Sequence, residues 1–370
     1  MRPNTHAQNK SRPSYCLTAL LLVALFVGSC SLNPYSLRAT PVALPGGSGG
    51  IGFDDMTYDP HQGKVIVPAG ATGNLDLIDP DTLNVRPIAG FSAQTADPAG
   101  GHGDGTTSAI AEKGLLFALD RTSLRLNVVD PAAGAILNAT SVLTTPDYVR
   151  YVPPTNELWV TEKGARQIEV FSLSDANVPI PTQTAVITFT SGPEALVIDS
   201  TRGRAYTNFA KKSTTIAIDL KTHETVGQWA NGCTASRGLA LDEARGLLFA
   251  ACKEGKIAVL DTNNDGKQLA NISFGGGVDF IGYNPHLSHL YLPSGTSAIL
   301  AIIGVTAVPD PTAPPTVTLQ LSVTLDLLGT ADTAINSRCM TVDDRDNAWV
   351  CDPNHGQIFR IKDTFPASGQ

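Results

Sequence analysis

The sequence predicts an all-β fold built from seven repeats, and three observations predict it. A pattern of apolar-x-apolar-apolar-Asp recurs along the chain. Each copy is preceded by two further short apolar stretches separated by turn residues. Long amphipathic helical periodicity is absent, which disfavours a strand–helix alternation and the parallel α/β sheet it would build. Four short strands per unit, repeating about every 47 residues, is the signature of a propeller blade. Seven copies give a seven-bladed β-propeller of four-stranded antiparallel blades. One blade cannot bury both faces of its sheet, so the blades must stack around an axis to make a core.

Taken in order, residues 1–29 carry Arg2, Lys10 and Arg12 and no acidic residue. The run Leu17 to Val27 is almost wholly apolar; about 11 residues cannot span a ~30 Å hydrocarbon core but suit a signal peptide. It ends in Val27-Gly28-Ser29-Cys30, which resembles a bacterial lipobox. That resemblance makes 1–29 a lipoprotein signal peptide and Cys30 the lipidation site. The alternative is ordinary secretion with cleavage nearby. Ser31 rather than Asp after Cys30 points to the outer membrane of the cell envelope. No later apolar run reaches 18 residues, so nothing else spans a bilayer as a helix.

Residues 30–50 form a lipidated linker and a closing strand, and 51–370 the propeller. The repeat copies begin at Leu75, Leu126, Ile168, Ile216, Ile257, Ile299 and Ile358. The fifth unit shows all four strands: 238–241, 247–251, 257–260 and 269–274, with turns between. In the sixth, the Pro-rich stretch 308–315 reads as an extended loop. The seventh supplies 339–342, 348–351 and 358–361 and then lacks a fourth strand. Segment 37–44 is the candidate to fill that edge and close the ring, removing two exposed edges. Pro41 fits an outermost strand, where a lost ladder donor is tolerated.

With Ala205-Tyr206-Thr207-Asn208 ahead of Ile216–Asp219, the blade pattern resembles the YVTN-type repeat propellers of bacterial secreted and surface proteins. The resemblance covers about 51–363. It implies the fold and an exported setting, and leaves the activity open, because this architecture hosts unrelated functions.

Four cysteines lie beyond Cys30. Cys233 and Cys252 are centred on the first hairpin turn of the fifth unit, and Cys339 and Cys351 on that of the seventh. Facing residues of an antiparallel hairpin lie ~4.5–5.5 Å apart, within reach of a disulfide. The expected bridges are Cys233–Cys252 and Cys339–Cys351, in keeping with an oxidising compartment. Free buried thiols and a four-Cys metal site are the alternatives; the second would need pairs from different blades to meet.

The candidate site comes from aligning the units on the turn after the innermost strand, at Asp59, Asp199, Asp242, Asn284 and Asp343. Five residues earlier stand Asp54, Glu194, Arg237, Asp279 and Arg338, and the third unit gives Asp147. The second gives Thr106 or Thr107, just after a Gly-rich loop holding His102 and Asp104. Innermost strands line the axial channel, so these charges should form one ring at one mouth, with Asp55 and Arg150 near it. Such a ring can hold a ligand, as acids and guanidiniums converging in a concave site do, or it can be a set of solvated charges that satisfy each other.

At 42% apolar content wholesale disorder is excluded, and a net charge of −8 opposes a basic nucleic-acid binder. The reading is an exported, lipid-anchored binding scaffold without a cofactor, whose partner is an envelope protein, peptide or glycan at the charged mouth. The alternative is a metal-dependent hydrolase, because acid-rich mouths resemble those of calcium-dependent lactonase propellers. Those use a Glu, Asn and Asp set; here the Asn members are not evident, and only under that alternative would Ca2+ enter. A redox subunit resembling quinoprotein dehydrogenase propellers finds no C-x-x-C-H for haem. Gly46-Gly-Ser48-Gly-Gly50 matches G-x-S-x-G but stands in a glycine linker without strand–turn–helix context. The stretch from Asp261 to Gly266 opens like a calcium loop, yet its twelfth position is Ile272. His286 and His289 have no carboxylate at zinc-site spacing.

Overall fold

A computed structural model describes residues 36–93, 104–312 and 320–369. The predicted leader, Cys30 and His102 lie outside the described residues. The chain forms seven antiparallel sheets in sequence order: blades 1 to 7 begin at residues 57, 106, 149, 193, 236, 282 and 340. Within a blade the strands are called A to D from the axis outward. Strand A of every blade packs against strand A of the next, and that of blade 7 packs against that of blade 1. The ring is therefore closed.

The repeat motif is strand C, and its final Asp makes the turn into strand D. Asp79 Oδ1 accepts the amides of Asp81 and Thr82, Asp130 Oδ1 those of Ala132 and Ala133, and Asp219 Oδ1 those of Lys221 and Thr222. A carboxylate thus stands in for a backbone acceptor, which is why Asp recurs there. Asp261 does the same for Asn263 at 2.9 Å, which accounts for the calcium-loop likeness.

The core lies between blades. Its largest members share one position, the third residue of strand B: Ile66, Phe117, Trp159, Tyr206, Phe249, Tyr291 and Trp349. All seven are at most 1% exposed. Their polar tips are satisfied, as burial demands: Trp349 Nε1 donates to Asp343, Trp159 Nε1 to Glu157, and Tyr291 Oη to Asp363.

Closure uses the N-terminal segment in two pieces. Ala39–Ala43 pairs antiparallel with Gln357–Lys362 and becomes the outermost strand of blade 7, with Pro41 on that edge. Leu37, expected in the same strand, instead pairs with Ser36 in a parallel contact to Thr330 and Ala331 of blade 6. The glycines that follow allow a close crossing. A Cβ on Gly47 would lie 2.4 Å from the Gly356 carbonyl oxygen, and one on Gly356 at 2.0 Å from that of Gly47. This, rather than a nucleophile elbow, explains Gly46–Gly50.

The Pro-rich stretch differs from expectation. Val308 and Pro309 belong to strand C of blade 6, Ile299–Pro309, which pairs with Leu321–Asp332 in a long hairpin. The hairpin outgrows its blade because Leu321, Val323 and Leu325 pack on the core shared with blade 5.

Both disulfides are present. Cys339 and Cys351 face each other in register, with Cα atoms 5.6 Å apart and the Cys351 amide on the Cys339 carbonyl. Cys233 does not: Ser236 stands opposite Cys252, and a bulge between Ser236 and Leu239 shifts the ladder. The chain before strand A folds back instead, bringing the Cα atoms to 5.1 Å.

Candidate functional site

The end of the ring where strands A begin holds a cavity of about 470 Å³. Asp54, Asp147, Glu194, Arg237, Asp279 and Arg338 all line it, one from each of six blades. Strand geometry explains the convergence, since equivalent positions of seven stacked blades meet at one height of the axis. Asp104 is not among the lining residues; its carboxylate takes the Thr122 hydroxyl at 3.4 Å. Asp55 and Arg150 face the opposite end, where they line a second mouth with Met56, Ile281 and Met340. They form a two-pronged pair at 2.5 and 3.0 Å. Asp54 and Asp55, though adjacent in sequence, line different cavities. Arg150 lies over the Tyr148 ring, 5.5 Å from its centroid, and that ring packs on Phe280.

Three cations escaped the alignment. Arg121, Lys163 and Lys253 also line the cavity. Each is the residue immediately after strand B in blades 2, 3 and 5. The signal was there, one position past a strand end rather than five before a turn. Blade 2, which has threonine at the aligned position, contributes Arg121 instead.

The arrangement is mostly paired. Arg121 Nη2 meets Asp54 at 2.8 Å and Asp147 at 2.6 Å. Its Nε donates to the Pro146 carbonyl at 2.8 Å. One guanidinium shared by two carboxylates neutralises only one charge. Burial, and next the Asp54 charge, push the Asp147 carboxyl up to about 7 against the pull of Arg121. Burial opposes the Arg121 charge, but Asp54 and Asp147 outweigh it and raise its pKa. Burial, then Asp147, raise the Tyr148 phenol well above its ordinary value. Arg237 donates to Glu194 at 2.8 Å and lies 3.6 Å from Asp279. The Lys163 ammonium rests on the other Glu194 oxygen.

The cavity thus holds five cations against four carboxylates, in a chain whose net charge is −8. The expected acidic mouth is in fact cation-rich. A divalent metal there would have to displace Arg121, Arg237 and Lys163 from the carboxylates. Among the described residues no group of three or more His, Cys, Asp or Glu is placed to hold a metal ion. His286 and His289 do not converge: the first meets Asp346, the second is buried against Asp363 and the Pro366 carbonyl.

No family model and no curated protein matches the chain. Its fold is similar to that of a chain in a mitotic checkpoint complex, 12% identical, covering 94% of this chain and 99% of that one at a TM-score of 0.67. It is also similar to a chain of Kuenenia stuttgartiensis hydrazine synthase, 11% identical, covering 87% and 97%, again at 0.67. At such identities the likeness shows the seven-bladed propeller and nothing finer.

Proposed function

We propose that the protein is an exported, lipid-anchored binding module that takes its ligand, an envelope protein, peptide or glycan, at the charged mouth. The observation that carries this reading is the cavity itself. Six blades each direct one of the aligned charged side chains into about 470 Å³ of space, within the size range of ligand sites. A propeller is a binding scaffold in general terms, and one of similar fold sits in a checkpoint complex. Export is supported by the apolar run ending at Cys30 and by two disulfides inside blades. No second reading is favoured, because every cavity carboxylate belongs to a set that already faces a cation.

Reversing Asp147 or Glu194 to Lys is a poor test, since it would set an ammonium against Arg121 or Arg237. A steric plug avoids that. Thr296 lines the cavity and is exposed, so Thr296→Trp should fold normally and fill the mouth. Capture of envelope components by the native-length protein should fall at least tenfold, while Thr222→Trp in an opposite-end turn changes nothing. Equal capture by the plugged variant would overturn the reading.

A further inference from the structure

We propose that the ligand of this cavity is a carboxylate-bearing, hydroxyl-rich small molecule of acidic-sugar type, its carboxylate held by Arg338 and Lys253. The inference rests on the cavity being the binding site and deepens it. The four cavity carboxylates are met by Arg121, Arg237 and Lys163. That leaves two cations. Among the described residues, neither the Arg338 guanidinium nor the Lys253 ammonium makes an ion pair or side-chain hydrogen bond, yet both line the cavity. Every other charged side chain there is engaged. A half-buried guanidinium without an acceptor has a planar fork of donors free, and a carboxylate is the group that fits it bidentately.

The placement of the two cations defines a sector. Lys253 follows strand B of blade 5 and Arg338 precedes strand A of blade 7, so they flank blade 6. Between them the lining is Gly277, Val278, Gly295, Thr296 and Asn336, which leave room and offer backbone and amide hydrogen bonds, together with Asp279, which faces Arg237 at 3.6 Å. The space continues. Asn336 and Arg338 also line an adjoining cavity of about 130 Å³ with Gly52, Pro353 and Asn354. Among the described residues the aromatic lining of the trough is Tyr148 and Phe53, and most of the rest is charged, polar or glycine, which suits a hydroxylated chain better than an aliphatic one. The acids that border this sector set a limit: a dianion pushed against Asp279 of blade 6 or Asp54 of blade 1 would be repelled, so the ligand carries its charge at one end.

Three monosaccharides of the same ring and different charge test this on the full-length protein by calorimetry at constant ionic strength: galacturonate, galactose and galactosamine. Inorganic phosphate is the fourth probe. Galacturonate should bind at least tenfold more tightly than the other three. Arg338→Gln and Lys253→Gln should each weaken it at least tenfold with unchanged circular dichroism and Tm, because neither side chain has a partner to lose among the described residues. Galacturonate binding no tighter than galactose, or unmoved by Arg338→Gln, overturns the inference. So does phosphate binding as tightly as galacturonate, or no binding by any probe. The two readings fail separately. If galactose or galactosamine binds and Thr296→Trp abolishes it, the cavity remains the site and only the carboxylate assignment falls. If galacturonate binds and the plug has no effect, both fall.

Discussion

At the level of single residues, the most informative position is Asp76. It is fully buried in strand C of blade 1 and neither carboxylate oxygen has a hydrogen-bond partner. Its neighbours across the ladder are Val67 and Pro87, and proline has no amide to offer. Burial alone raises its carboxyl to about 7. The same repeat position is Asn127 in blade 2, which donates to the Ala118 carbonyl, and Glu169 in blade 3, which accepts the Leu143 amide. Blades 4 to 6 carry Ile216, Ala258 and Ala301 there, each opposite the fourth residue of strand B. Because the folded-state pKa is raised, the folded protein holds a proton the unfolded chain has lost. The associated stability is present below about pH 4 and is lost as pH rises through 7, on the order of a few kcal/mol for a shift of this size. Asp76→Ala should therefore raise Tm at pH 8 by clearly more than at pH 5; equal effects at both pH values would refute the assignment. No sequence signal marks Asp76 as unpaired, since partner atoms belong to other strands. Arg121, Lys163 and Lys253 were legible in principle, by aligning strand ends as well as turns.

Strands tell a different story, because their pattern is local. All seven copies of the repeat motif begin inside strand C, and the turn-forming Asp is readable from its spacing alone. What the motif does not announce is the large residue at the third position of strand B. Ala205-Tyr206-Thr207-Asn208 contains one, but isoleucine, phenylalanine and tryptophan stand for tyrosine elsewhere, so only the three-dimensional register shows that they are one feature. Each fills the gap between neighbouring blades, and close packing leaves a cavity when it is removed. Trp159→Ala should cost about 3–5 kcal/mol and lower Tm by several degrees. Thermal unfolding followed by circular dichroism measures it, and a fall under one degree would mean the blades repack around the loss. Register is also where the cysteine arithmetic divided. It held for Cys339–Cys351, in an unbroken hairpin; Cys233 and Cys252 do bond, but not as a facing pair, because their hairpin is centred later in the sequence and Cys233 lies ahead of its strand A.

Across the whole molecule, the seven-fold repeat made the ring and its mouth legible, since equivalent positions must converge once blades close. The sign of the mouth was not, because charge there depends on which side chains reach inward from the loops between strands B and C. Closure itself is borne by a short segment. Blade 7 has three strands of its own and takes its fourth from Ala39–Ala43. The same stretch begins on blade 6 through Ser36 and Leu37, so about eight residues tie blades 6 and 7 together before the chain enters blade 1. Val42 is buried there, against the core that includes Ile358 and Ile361. Solenoids and rings hold their ends by such contacts, and losing one exposes a hydrogen-bonding edge. Deleting residues 36–44 should leave Gln357–Lys362 as an open edge strand. Hydrogen exchange read by mass spectrometry should then speed up in 357–362 at least tenfold. The equivalent strand of blade 5, Lys256–Asp261, keeps its own partner Lys267–Ser273 and should exchange as before. Slow exchange retained in 357–362 would show that blade 7 stands on three strands, and the N-terminal clasp would then have no part in holding the ring shut.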